Sequence, residues 1–321
     1  MHLSVASDDP VSKLLEVRQQ GAAVWATLDA QSVPLFRDIF NRMEGHGKSV
    51  LEIGSGYGFT SILFALLGAK AVHGMDVVAP AIERAKRIKE QLDPRLPVFF
   101  YRCDAAKPFP FQHDVFDIVL AIEVLSHIVT DDLTGLLGEV VRVLRPGGLV
   151  YLSDGNNARS WRKRHENYRI WRRFELGPPT QAAETVYTHR IAKPYVEIRR
   201  DIAKEAEPSL SEETATNIAS RTFQFDATQV RDAVRQFVRS GALPNSPFRH
   251  RVCPVEPLTR TFIEQLVDPR LVRRSLRRLG CEEIWCGPRR KLPLAVLWSK
   301  LPWLTFWVSN GFVVIAKKKC S

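Results

Sequence analysis

A doubly wound α/β fold, with a mostly parallel sheet covered by helices on both faces, is predicted from three observations. Short apolar runs alternate with helical stretches between residues 49 and 153, the trace that parallel strands joined by right-handed crossovers leave in a sequence. The first run ends in a glycine-rich turn, Gly54-Ser55-Gly56-Tyr57-Gly58. The alternation stops near 158 and resumes near 266, so a segment of another kind interrupts the sheet. The chain has 321 residues, 45% of them apolar and 25% charged. That composition fits a folded protein and excludes the disordered and collagen-like classes. Five cysteines without a Cys-x-x-Cys pair argue against a zinc ribbon or a disulfide framework, and no metal site is expected. Asp8 and Asp9 stand where the apolar stretch of a secretion signal would begin. No apolar run reaches the about 18 residues of a membrane span, so no spanning helix is expected, and the sparse cysteines fit a cytoplasmic location, with peripheral membrane contact as an option.

Each element follows from local pattern. Residues 1–45 read as a helical segment broken near Gly21. A first strand at 49–53 leads into a helix over 60–67. A second strand covers 71–78, and Pro80 opens a helix to Leu92, because proline is tolerated in a first turn. The third strand is 98–102. The fourth, 116–122, reads as continuously buried, as a strand covered on both faces must be. A helix over 130–144 places Leu133, Leu136, Leu137, Val140, Val141 and Leu144 on one side. Asp131 and Asp132 fall in its first turn, where carboxylates complement the helix dipole. Arg145-Pro146-Gly147-Gly148 is expected to stop it, with a fifth strand over 149–153. Further on, Asp226 is expected to cap a helix that buries Val230, Ala233, Val234, Phe237 and Val238. Pro244, Pro247, Pro254 and Pro257 mark a loop-rich join. Asp268-Pro269 starts a helix that Gly280 ends, followed by a strand near 281–286 and a last strand over 311–317. The organisation expected is a helical segment 1–45, a sheet core 46–157, a mainly helical insertion 158–265 over the strand ends, and a closing part 266–321.

Ligands of such sheets bind at the carboxyl ends of the strands, where strand order reverses. Gly54 and Gly56 allow close approach of a ligand to the backbone. Phe59 stands where a dinucleotide fingerprint needs glycine, and no Gly-Lys-Ser/Thr of a P-loop follows. Glu52, one step before the glycines, would repel a pyrophosphate and attract an ammonium. Asp76, at the end of the second strand, is placed to accept hydrogen bonds from a ribose diol, with Val77 against an adenine face. Asp104, after the third strand, can accept from an adenine amino group while the Ala105 N–H reads a ring nitrogen. An adenosine with a positive charge and an amino-acid tail satisfies all of these, and that compound is S-adenosylmethionine.

The ordered set VLEIGSGYG, GMDVV, RCDAA, FDIVLAIEVLSHI and RVLRPGGLVYL resembles the class I S-adenosylmethionine-dependent methyltransferases, in particular the small-molecule enzymes of ubiquinone and glycan modification. The resemblance covers about 45–157 and, more weakly, 266–319. It implies a seven-stranded sheet with an antiparallel last strand. It also implies that Glu52, Gly54, Ser55, Gly56, Asp76, Val77, Asp104, Ala105 and Ile122 line the cofactor site.

Methyl transfer is an in-line displacement that needs alignment and exclusion of water, and a general base only when the acceptor must lose a proton. His127 and Asp154, just past the fourth and fifth strands, are the candidates for that base; His165 and His189 read as structural and Glu123 as a local cap or ion-pair partner. Residues 1–150 carry a net charge of −3 and residues 151–321 a net of +14, so an acidic partner would meet the second half. Seven basic residues in 158–174 are interleaved with Trp161, Tyr168, Trp171 and Phe174. Three readings stand: aromatics packed on the core beneath a solvated basic face, a mouth for an anionic acceptor, or a surface for nucleic acid or a membrane. The apolar segment 292–309 is a buried excursion between the last two strands or a lipid-facing patch. The expected acceptor is a small or lipid-linked molecule, with O-methylation favoured. An RNA methyltransferase is the first alternative, weakened by AIEV standing where an amino-methylating enzyme carries Asn-Pro-Pro-Tyr; a non-catalytic binding protein on the same fold is the second.

Overall fold

The apolar runs pair into one sheet. A computed structural model describes residues 39–40, 42–129, 133–177, 193–289 and 302–320. The strands β1 (Ser49–Ile53), β2 (Ala71–Asp76), β3 (Val98–Arg102), β4 (Phe116–Ile122), β5 (Leu144–Asp154), β6 (Cys281–Pro288) and β7 (Phe312–Lys318) lie in the order β3-β2-β1-β4-β5-β7-β6. The pairs β1·β2, β2·β3, β1·β4 and β4·β5 are parallel. Strand β7 runs antiparallel to both β5 and β6. Strand order reverses between β1 and β4, which places a binding crevice at their carboxyl ends.

Alternation of side chains along the strands supplies two cores. Leu51, Ile53, Val119 and Ala121 pack beneath α3 (Leu133–Val143) and α8 (Pro269–Arg278). Val50, Ile118 and Leu120 face α1 (Phe59–Leu66) and α2 (Ala79–Leu92). Two boundaries differ from expectation. Strand β2 ends at Asp76, two residues early, because the Asp76 side chain accepts from the Val78 N–H and turns the chain into α2. Strand β5 begins at Leu144, because Pro146-Gly147-Gly148 is taken up as an irregularity between the Phe116–Leu144 and Ile118–Leu149 pairs. Most of the helical segment 1–45, and residues 130–132 with Asp131 and Asp132, lie outside the described residues.

Between β5 and α8 stand α4 (Trp161–Leu176), α5 (Tyr195–Ala206), α6 (Glu212–Ser220) and α7 (Ala227–Ser240). Asp226 caps α7 as expected, in a capping box with Gln229. Val230, Ala233 and Val234 are buried, but Val238 is exposed near the helix end. Helices α5 to α7 share an apolar cluster that includes Ile202, Ile218 and Val234. A buried ion pair, Glu175 with Arg199, joins α4 to α5. Of the apolar segment 292–309, residues 290–301 lie outside the described residues; a helix α9 (Pro302–Val308) lies between β6 and β7 and buries Phe306. Among the described residues, no helix is long and apolar enough to cross a membrane.

Candidate active site

The glycine turn is locked to the tip of β2. Gly54 has φ 70°, and a Cβ there would come within 2.3 Å of the Val124 side chain, so only glycine fits. The N–H groups of Gly54 and Ser55 donate to the Met75 carbonyl at 2.8 and 3.0 Å. Gly56 N–H donates to Asp76 Oδ2 and Val78 N–H to Asp76 Oδ1, each at 2.9 Å. Burial pushes the Asp76 carboxyl above its ordinary value, against the pull of the Val78 and Gly56 amides. Each of its oxygens holds one amide and retains a lone pair, which suits a vicinal diol. At the tip of β3, Asp104 Oδ1 accepts from the Ala106 N–H at 2.9 Å. The buried Ser55 Oγ has no partner among the described residues.

A cavity of about 650 Å³ opens along these tips. Gly54, Asp76, Val77, Cys103, Asp104 and Ala105 line it on the β2 and β3 side. Glu123, His127, Tyr195, Thr261, Phe262 and Glu264 line it beyond β4. The segment 259–264 of the insertion is fastened to the sheet: Phe262 N–H donates to the His127 carbonyl and Gln265 N–H to the Ser126 carbonyl. His127 Nδ1 lies 2.9 Å from the Phe262 carbonyl. A carbonyl only accepts, so Nδ1 carries the proton, and in the neutral ring Nε2 is the acceptor nitrogen.

A second carboxyl cluster surrounds this far end. Glu123 adopts φ 53°, unusual for a residue with a side chain. Its carboxyl meets Arg289 Nη1 at 2.5 Å and accepts from the Gly155 N–H at 3.2 Å. Burial, then repulsion from Asp154, pushes the Glu123 carboxyl up to about 7, against the Arg289 charge. Gly155 permits this contact, since a Cβ there would sit 2.9 Å from Glu123 Oε2. Glu264 accepts from the Asn156 side chain, and its carbonyl accepts from Asn167 Nδ2 and Trp171 Nε1 at 2.8 and 3.0 Å. Among the described residues no group of three or more side chains is arranged to hold a metal ion.

Of the residues singled out in the sequence, the structure brings Gly54, Asp76, Val77, Asp104, Ala105 and His127 to one cavity. Glu52, Ser55, Gly56, Ile122 and Asp154 are not on its wall. Glu52 points away from the turn into α1, where it accepts from Ser61 Oγ at 2.5 Å, and burial lifts it to about 7. The attraction for an ammonium expected of Glu52 is therefore not what its side chain provides here. Asp154 is fully buried and accepts from the N–H groups of Ser126 and Asn156, at 2.9 and 2.8 Å. A base has to reach the proton it removes; Asp154 instead holds the turn that carries His127. Sequence reasoning missed Tyr195, Arg289 and Glu264, which come from the insertion and from β6 and adjoining residues. It weighed Glu123 only as a local partner. The signal for Glu123 was its place directly after the fourth strand; Glu264 had none, because its position depends on a contact spanning over a hundred residues.

The chain matches the family described as "Methyltransferase domain" over residues 51–152. A ubiquinone biosynthesis O-methyltransferase of Bradyrhizobium sp. (strain ORS 278) is 37% identical over 116 residues, covering 36% of this chain and 42% of that protein. The tRNA N(3)-cytidine methyltransferase METTL2 of Mus musculus is 34% identical over 112 residues, covering 33% of this chain and 28% of that one. The chain spans less than half the length of these two relatives. A solved S-adenosylmethionine dependent methyltransferase from Mesorhizobium loti aligns with 90% of this chain and 99% of its own at 15% identity, with a TM-score of 0.46.

Proposed function

We propose, from the premise that residues 51–152 form a class I S-adenosylmethionine-dependent methyltransferase domain, that the chain transfers a methyl group to a hydroxyl of a small or lipid-linked acceptor. The observation that carries this reading is the single cavity running from the Asp76 and Asp104 tips to His127 and Glu123. The cofactor residues fit the group: Asp76 has lone pairs for the ribose diol, Asp104 for the adenine amino group, and Gly54 leaves its approach open. S-adenosylmethionine bound there supplies an electrophilic methyl carbon.

The remaining work falls to the chain. His127 Nε2 accepts the hydroxyl proton as the acceptor oxygen becomes nucleophilic, and the Phe262 carbonyl keeps the ring in the required tautomer. Glu123, on the wall of the same cavity and paired with Arg289, is anionic above about 7 and then adds negative charge to this end. Segment 259–264 lines the cavity beside the strand tips and narrows the access of water to it.

Transfer of a labelled methyl group is measured with catechols and hydroxylated lipid extracts and, separately, with total tRNA. His127→Gln should lower turnover by about 10²–10⁴-fold with cofactor affinity unchanged. In the parent, the rate should rise with pH through about 7 as Glu123 loses its proton, and Glu123→Gln should flatten that rise. Parent-like turnover and pH profile in both variants would overturn the mechanism. A second reading, methylation of RNA, is favoured by the tRNA methyltransferase relative and by the +14 charge of residues 151–321. Label appearing in tRNA alone would establish it over the first.

A further inference from the structure

The helix α4 supports the cavity from behind through Asn167 and Trp171, but none of its residues lines it, and its arginines face outward. Asn167, Trp171 and Glu175 form its buried side. On the opposite side Arg162, Arg169, Arg172 and Arg173 fall with Trp161 and Leu176 within an arc of about 120°. All four arginines are exposed, and none has a carboxylate partner among the described residues. Trp161 is 63% exposed, far more than a packed tryptophan, so of the two tryptophans of this helix only Trp171 faces the core.

The end of α9 lies against the start of α4. Asn157 Nδ2 donates to the carbonyls of Phe306 and Ser309, both at 2.8 Å. Ser160, the N-cap of α4, lies 3.3 Å from Asn310 Oδ1. The Arg159 guanidinium sits 5.8 Å from the Trp307 ring centre. Trp307 is 41% exposed and Val308 beside it is exposed too. One surface thus combines two open tryptophans, two open aliphatic residues and a row of arginines without a carboxylate partner among the described residues.

We propose that this surface docks the protein on an anionic lipid bilayer. Arginines attract the negative surface, and tryptophans seat at the headgroup level, where one edge of the ring is apolar and the other meets water. Exposed Leu176 and Val308 favour a bilayer over a polynucleotide, since they gain from the acyl boundary and gain nothing from phosphodiesters. This inference does not depend on which acceptor the cavity takes.

The full chain is sedimented with vesicles of phosphatidylcholine alone and of phosphatidylcholine mixed with phosphatidylglycerol, at low and high salt. Binding is expected with the anionic vesicles at low salt only. The charge reversal Arg169→Glu/Arg172→Glu/Arg173→Glu should weaken it at least about 100-fold, from about fivefold per arginine. Trp161→Ala/Trp307→Ala should also weaken it, and both variants should keep the parent's melting temperature and S-adenosylmethionine affinity. Absence of sedimentation with anionic vesicles at low salt overturns the proposal, as does parent-like binding by the charge-reversed variant. Steeply salt-dependent binding to total tRNA without vesicle binding overturns it as well, and gives the face to nucleic acid.

Discussion

The two ends of the cavity are built by opposite means. At the β2 and β3 tips the wall is made by residues adjacent to strand ends, and the chain's own amides hold the key carboxyl: Gly56 and Val78 fix Asp76. At the far end the wall is assembled from β4, the insertion and the stretch after β6, through the contacts of Glu123 with Arg289, His127 with Phe262 and Asn156 with Glu264. The first end is local and backbone-defined; the second is long-range and made by side chains. A common cofactor suits the first design, while the second can change its acceptor by altering loops that no strand constrains.

Three variants would break or sharpen this comparison. The largest effect is expected in the insertion. Glu175→Ala leaves the buried Arg199 charge without its partner and should cost about 3–5 kcal/mol of stability. If the two ends are independent, cofactor affinity of the folded fraction, read by calorimetry, stays at the parent value; a matching loss there would show that the insertion also builds the first end. Next, Asp76→Ala removes a carboxylate that accepts from two amides and should weaken S-adenosylmethionine binding about 100-fold, the equivalent of two charge-assisted hydrogen bonds. Unchanged affinity would remove the diol role. Least is expected of Tyr195→Phe. The Tyr195 hydroxyl is buried without a partner among the described residues, and burial pushes its ionisation upward, so it stays a neutral donor. Its removal should raise stability by about 1 kcal/mol in a denaturant titration, leaving cofactor affinity unchanged. A loss of stability would mean that the hydroxyl has a partner inside the protein.

Legibility in the sequence followed the same division. The strands 98–102 and 116–122 were readable to the residue because each is a short, mostly apolar run rich in β-branched and aromatic residues. The cap at Asp226 was readable because it is a local hydrogen-bonding pattern. The start of β5 was not, since a Pro-Gly-Gly stretch reads as a stop unless a neighbouring strand accommodates the irregularity. The places of Asp76 and Asp104 on the cavity wall were readable from their positions after strands. Glu52 was assigned the wrong surroundings, because the period of two that buries its neighbours also turns its carboxyl into α1. Glu264 and Tyr195 carry no local mark; only the packing of the insertion brings them to the cavity.

The backbone at Glu123 has a consequence for anyone improving this protein. A residue with a side chain in the left-handed region is disfavoured by about 1–2 kcal/mol, and glycine there would relax it. The most comfortable amino acid at that position and the one that the proposed mechanism uses are therefore different. Selection for heat resistance alone would reward erasing the carboxyl that answers to pH, and a hardier but duller protein would emerge.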